Sequence, residues 1–220
     1  MAMNIVLLGP PGAGKGTYAG ILSKKYGIPT ISVGDLFRTA IKDENELGKR
    51  VEAYVSNGDL VPDEIVTEVV KNRLNENDCK NGFFLDGYPR TVSQAKAILA
   101  FKNIGAALNF VVPDEVIMSR IGGRRTCSKC GAIYHIKNVP PKVENICDKC
   151  GNILIQRADE TPEVIKNRLV VYREKTKPVA EYLRTKDLVA DIDANYPIEE
   201  VNKIISQCVE HLQKLKKVQN

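Results

Sequence analysis

The chain has no long apolar run. Its 220 residues are 43% hydrophobic, yet no apolar stretch approaches the roughly 20 residues needed to span a bilayer. The N-terminus shows no basic region followed by a long apolar core and a cleavage site. A soluble, cytoplasmic protein is therefore expected, with no membrane partner. Tryptophan is absent, and of the two histidines neither stands beside the glycine-rich or arginine-bearing motifs described below. Charge of either sign is not concentrated. The net charge of +5 is too mild to argue for nucleic acid and suits a small enzyme that handles polyanions. No internal repeat or low-complexity linker breaks the chain, which is long enough for one good core with insertions.

Against that background one motif stands out. The apolar run Ile5-Val6-Leu7-Leu8 leads into Gly9-Pro10-Pro11-Gly12-Ala13-Gly14-Lys15-Gly16-Thr17. A buried strand, a glycine-rich turn and a helix N-terminus together form an anion cradle: glycines let the backbone N–H groups approach a phosphate, and the helix end adds partial positive charge. Lys15 is placed to reach the outer phosphates of a nucleoside triphosphate. The usual hydroxyl directly after the lysine is replaced by Gly16, with Thr17 next. Any Mg²⁺ is then expected on phosphate oxygens, waters and a carboxylate elsewhere.

Apolar runs alternate with helical patterns, which predicts an α/β fold: a P-loop-type parallel five-stranded sheet flanked by helices. The expected strands are 4–8, 30–32, 83–86, 108–112 and 189–192. Expected helices cover 15–26, 36–41, 47–56, 63–75, 92–101 and 114–120. Another starts after Thr161-Pro162 and is kinked by Pro178, and a last one spans about 198–215. Two stretches, 32–61 and 123–160, fit the alternation poorly and read as insertions at strand ends, where substrates are gripped.

The second insertion carries Cys127-Ser-Lys-Cys130 and Cys147-Asp-Lys-Cys150, sixteen residues apart and each followed by glycine. Two such knuckles supply four thiolates, which suits a structural zinc, though iron can occupy the same ligands. Disulfides do not fit a cytosolic chain. Four protein ligands leave the metal no open position, so its role is to hold an insertion too small for its own apolar core. Cys79 and Cys208 stand alone and read as packing residues, and His135 as an ordinary surface or packing histidine.

Asp86 ends the apolar run Phe83-Phe84-Leu85-Asp86. An acid at that place either meets nucleotide-bound Mg²⁺, directly or through water, or caps the next turn; the upstream loop favours the metal role. Arginines gather at the edges of the irregular segments, at Arg38, Arg90, Arg120, Arg124, Arg125, Arg157 and Arg168. Their planar forks suit a site that neutralises more than one phosphate group.

Taken in order, GPPGAGKGT, Ile31–Arg38, Leu85–Gln94, Gly123–Arg125, Arg157 and Arg168 resemble the adenylate kinases, in the long-lid bacterial form whose lid holds zinc. The resemblance spans nearly the whole chain. It implies a CORE domain (1–31, 62–122 and 161–220), an AMP-binding insertion (32–61) and an ATP-covering LID (123–160). The implied reaction is Mg·ATP plus AMP interconverting with two ADP, in the service of adenine nucleotide homeostasis, by a monomer without nucleic acid or membrane partners.

The same resemblance implies residue roles. Gly12, Ala13, Gly14, Lys15, Gly16 and Thr17 cradle the ATP phosphates, Arg120 packs on the adenine and Arg124 meets the phosphates. Ile133 and Tyr134 line the nucleotide from the lid, and Tyr196 contributes backbone near the adenine. AMP meets Val33, Arg38, Asp59, Leu60, Val61, Gly87, Tyr88, Pro89 and Arg90, with Gln94 at the base edge. Arg157 and Arg168 reach the transferring group, oriented by Asp159 and Glu160. Lys15, Arg90, Arg124, Arg157, Arg168 and Asp159 form the implied catalytic set. Val33 stands where the family has Thr or Ser, removing one hydroxyl contact to AMP. Asp59 stands where Lys is common.

Three alternatives stay open at this point. A kinase of the same class could use another nucleotide pair (UMP or CMP as acceptor, or GTP as donor), although Gln94 and the long lid favour AMP. A zinc-ribbon nucleic-acid module fused to an ATPase would use Lys129, Lys137, Lys142 and Lys149, but these alternate with acids and lack an aromatic stacking surface. A nucleotide-sensing switch would bind without turnover.

Overall fold

The computed structural model describes residues 2–218. Five strands run parallel in the spatial order β2-β3-β1-β4-β8: β1 (Met3–Leu8), β2 (Thr30–Ser32), β3 (Gly82–Asp86), β4 (Ala106–Val111) and β8 (Val189–Asp193). All five lie where the alternation predicts them. Because side chains alternate along a strand, an unbroken apolar run feeds two cores at once. Ile5, Leu7, Phe84, Leu108 and Phe110 pack on α1 (Lys15–Tyr26), α6 (Asp114–Gly122), α7 (Pro162–Val171) and α9 (Val201–Val218). Val6, Leu8, Phe83, Leu85 and Ala107 pack on α2 (Val33–Lys42), α3 (Glu46–Asn57), α4 (Asp63–Arg73), α5 (Val92–Phe101) and α8 (Lys177–Arg184). The strand order turns outward in both directions from β1. In such sheets the crevice at the carboxyl ends of the strands is where ligands bind, and the glycine-rich loop leaves β1 there. Among the described residues no helix is long and apolar enough to cross a membrane.

The departures from expectation have local causes. Helix α2 begins at Val33 rather than Leu36, because the Ser32 side chain accepts from the Asp35 backbone N–H at 3.2 Å and caps the extra turn. Residues 123–160, with no periodic segment long enough to read, hold a three-stranded antiparallel sheet of β6 (Ile133–His135), β5 (Arg124–Cys127) and β7 (Leu154–Ile155). The kink expected from Pro178 is a π-helical segment over Tyr172–Thr176 that joins α7 to α8. The missing proline N–H and the bulk of its ring displace the regular helical ladder. The displaced turn also has a use: Thr176 Oγ1 donates to the Arg90 carbonyl at 3.0 Å, tying it to the loop after β3.

Candidate active site

Between the sheet edge and the two insertions lies a cavity of about 400 Å³. Among the described residues, seven basic side chains line it (Lys15, Arg38, Arg90, Arg120, Arg124, Arg157 and Arg168), against a single carboxylate, that of Asp86. A smaller cavity of about 60 Å³ opens beside it, walled by Val33, Asp59, Leu60, Val61, Gln94 and Asp159. Three arginines, Arg38, Arg90 and Arg168, line both.

The loop after β1 shapes the large cavity. Gly12 has φ +80°, and a Cβ there would come within 2.7 Å of Ile121 Cγ1. Only glycine accepts both the backbone and the space. Lys15 donates to the carbonyls of Gly9 at 2.8 Å and Pro10 at 2.9 Å, so its ammonium is held over the loop. Burial pushes its pKa down to about 8; Asp86 works against this, while Arg90, Arg168 and Arg124 add to it. A bound polyphosphate would reverse that pressure. Gly16, Thr17, Gly87, Pro89 and Tyr196 are also in the wall. Arg120 donates to the carbonyls of Ala194 at 3.0 Å and Tyr196 at 2.8 Å, which fixes its plane beside the cavity.

The arginines rest on two buried acids. Glu160 is fully buried and pairs with Arg124 and, at 3.7 Å, with Arg157; Asp159 pairs with Arg168 at 3.1 Å and Arg38 at 3.8 Å. Arg157 also lies 4.0 Å from Asp35. These pairs draw the two insertions together across the cleft. Burial lowers the Arg168 pKa to about 10, with Arg90 adding to the effect, and lowers those of Arg90 and Arg157 as well. Desolvated, mutually repelling cations held this close together suit a ligand that carries several negative charges.

In the second insertion the four cysteine sulfurs lie within 4.8 Å of one another, with Cys127 and Cys150 at 3.4 Å and Cys130 and Cys147 at 3.6 Å. Zn–S bonds of about 2.3 Å in a tetrahedron place sulfurs roughly 3.8 Å apart, so the group fits. The Cys130 N–H donates to Cys127 Sγ at 3.5 Å, and such backbone donation holds the Cys127 thiol below its usual pKa. The Tyr134 ring is buried in this second insertion, its hydroxyl 3.5 Å from Cys147 Sγ and accepting from the Asp148 N–H at 2.8 Å. Oriented partners of this kind are what metal ligands need behind them.

Most of the residues singled out from the sequence meet at these two cavities. Ala13 and Tyr88 do not line either one. Ala13 is buried and its N–H donates to the Pro10 carbonyl; Tyr88 is core, its hydroxyl bonded to Thr67 and the Gln94 carbonyl. Asp59 does more than lend backbone: its carboxylate accepts from Asn167 Nδ2 at 2.9 Å, and Asn167 also holds the Asn57 carbonyl. Next to it Gly58 has φ +77°, and a Cβ there would strike Arg168 Cγ at 2.7 Å. His135 reads from the sequence as a surface or packing histidine, or a spare ligand, and the structure gives it a place in the cavity wall. It meets the Ser119 carbonyl at 3.2 Å through Nε2, and accepts from Lys137 and Asn138 N–H groups through Nδ1. No local pattern marks that contact between the second insertion and α6.

A parallel sheet with a phosphate loop, a cation-lined cavity and an adjoining second cavity define a P-loop phosphotransferase of the nucleoside monophosphate kinase class. The adenylate kinase family model matches residues 7–188. The chain is 50% identical to the adenylate kinase of Clostridium tetani over 209 residues, covering 93% of this chain and 97% of that protein. It is 48% identical to that of Archaeoglobus fulgidus over 215 residues (96% and 99%). With that of Staphylococcus epidermidis it shares 47% over 215 residues (96% and 100%). The chain belongs to the adenylate kinase family, whose members transfer phosphoryl groups between adenine nucleotides and use Mg²⁺ with ATP.

Proposed function

We propose that the large cavity takes ATP, the small one AMP, and that Arg38, Arg90 and Arg168 bridge the phosphates where the two meet. The observation that carries this reading is the wall these three arginines share. In these terms residues 1–31, 62–122 and 161–220 are the CORE, 32–61 the AMP-binding insertion and 123–160 the LID, in a cytoplasmic monomer.

An AMP phosphate oxygen attacks the γ-phosphorus of ATP, a new P–O bond forms, and the bond to the β-phosphate oxygen breaks. The second pKa of such a phosphate is about 6, so the nucleophile is already anionic at neutral pH and no residue has to remove a proton. The barrier is set by bringing two polyanions into line while charge spreads over the transferring group. Lys15, Arg90, Arg124, Arg157 and Arg168 answer that charge. Asp159 and Glu160 hold the guanidinium groups in place. Asp86 would be the carboxylate that holds nucleotide-bound Mg²⁺: its Oδ2 lies 4.0 Å from where a Cβ on Gly16 would stand, beside the loop. Mg²⁺ would supply charge neutralisation between the outer phosphates. Cys127, Cys130, Cys147 and Cys150 would hold zinc, which would keep the LID one body. Val33, buried in the small cavity, offers AMP no hydroxyl.

A nucleotide panel tests the assignment. ATP with AMP is expected to give two ADP at a kcat/KM at least about tenfold above any pairing with UMP, CMP or GTP, since a base edge left unpaired in a buried site is rejected strongly. Equal or better turnover with another acceptor would overturn it. ATP consumption without ADP from AMP would do the same.

A further inference from the structure

A glutamine amide has two ends of similar shape and opposite hydrogen bonding: one accepts, the other donates. Adenine presents an amino donor beside a ring-nitrogen acceptor, while hypoxanthine and guanine present a carbonyl acceptor beside an N–H donor. A flippable amide serves both kinds of base, and a locked amide serves one.

Gln94 is locked. Its Oε1 accepts from the Arg90 backbone N–H at 2.7 Å, and its Nε2 donates to Asp63 Oδ1 at 2.7 Å. Reversal would set the amino end against the Arg90 N–H and the carbonyl end against a carboxylate, two like-for-like contacts. Gln94 is only 2% exposed, so little water is at hand to relieve them. Asp63 is itself fixed: its Oδ2 accepts from Thr91 Oγ1 at 2.7 Å, and that oxygen in turn accepts from the Gln94 N–H at 3.1 Å. Each end of the amide keeps one unused position, an Oε1 lone pair and an Nε2 hydrogen, and Gln94 lines the small cavity. The locked orientation pairs those positions with the amino group and ring nitrogen of adenine.

We infer that Asp63, which lines neither cavity, is a positioning residue that sets the base selectivity of the acceptor site through the Gln94 amide. The inference rests on Gln94 facing the acceptor base. Of the two groups that lock the amide, the Arg90 N–H belongs to the backbone and Asp63 is the one a substitution can remove. Asn at this position could donate to the reversed carbonyl end as readily as accept from the native amino end.

The test compares kcat/KM for AMP and IMP at saturating Mg·ATP in the wild type, D63N, D63A and Q94L, with IMP also measured as a competitive inhibitor of AMP. The AMP-over-IMP ratio is expected to fall about tenfold in D63A and by a smaller factor in D63N, with KM for ATP within about twofold. A merely structural role for Asp63 would weaken AMP and IMP together and leave the ratio where it was. An unchanged ratio in the folded Asp63 variants, with the ratio lost in Q94L, overturns this inference alone. A wild-type ratio in Q94L removes the base-recognition reading itself, and the role of Asp63 with it. D63N keeps the size of the side chain and carries the test if D63A does not fold.

Discussion

Arg90→Ala is expected to lower kcat by about 10²–10³ while the unliganded protein melts no earlier than wild type. The side chain lines both cavities, and its one hydrogen bond among the described residues runs from Nε to the Gly87 carbonyl at 3.0 Å. Burial depresses its pKa; Asp86 and Asp159 oppose this, and Arg38 adds to it. A desolvated cation beside other cations costs the folded state free energy, so removing it relieves the empty enzyme and harms only the loaded one. Arg124→Ala should behave differently. Its partner Glu160 is fully buried and already has an unpartnered Oε2, so loss of the guanidinium leaves that buried charge with only Arg157, at 3.7 Å, to answer it. That variant is expected to lose both turnover and melting temperature. Steady-state kinetics with thermal melts of both variants check the pair of expectations. Near-normal turnover in Arg90→Ala would show that its guanidinium does not meet the transferring phosphoryl group.

The second large effect concerns the lid. Cys127→Ser is expected to lower the melting temperature by about 10 °C, a loss of roughly 3–4 kcal/mol in a chain of this size, and to reduce activity less than this at low temperature. The lid's own core consists of Cys127, Ala132, Tyr134, Cys147 and Leu154. Two of those five belong to the four-cysteine group that fits a metal, and the three strands they brace are two to four residues long. So little buried apolar surface does not hold such a sheet without a cross-link. Metal analysis of the wild type should find one zinc per chain, and the variant should have lost it. An unchanged melting temperature, or a wild-type preparation free of zinc, would contradict the assignment; iron in its place would correct the metal and keep the structural role.

What the sequence made legible was contiguous. The phosphate loop, the two cysteine knuckles and the Asp86 strand end each declare their chemistry within nine residues or fewer, because the backbone itself sets the geometry. The five parallel strands were legible for a related reason: buried on both faces, they read as unbroken apolar runs. What stayed hidden depends on side chains that meet only after folding. Gln94 and Asp63 are 31 positions apart, and Asn167 and Asp59 are 108 apart. The strands of the lid sheet are too short to show a period. The pairing of four arginines on Asp159 and Glu160 likewise needs both insertions in place. Sequence offered the cations and the acids, but not which acid would orient which cation.

On the reading proposed above, one chain holds two nucleotide sites whose phosphate ends share Arg38, Arg90 and Arg168. Two adenosines joined by five phosphates test it most directly, since such a compound fills both sites only if they are continuous. Calorimetry and a co-crystal structure are expected to show one molecule per chain, with its two bases in the two cavities and its phosphates within hydrogen-bond reach of Arg90 and Arg168. Two molecules bound per chain, or one bound in the large cavity with its second adenosine in solvent, would contradict the account.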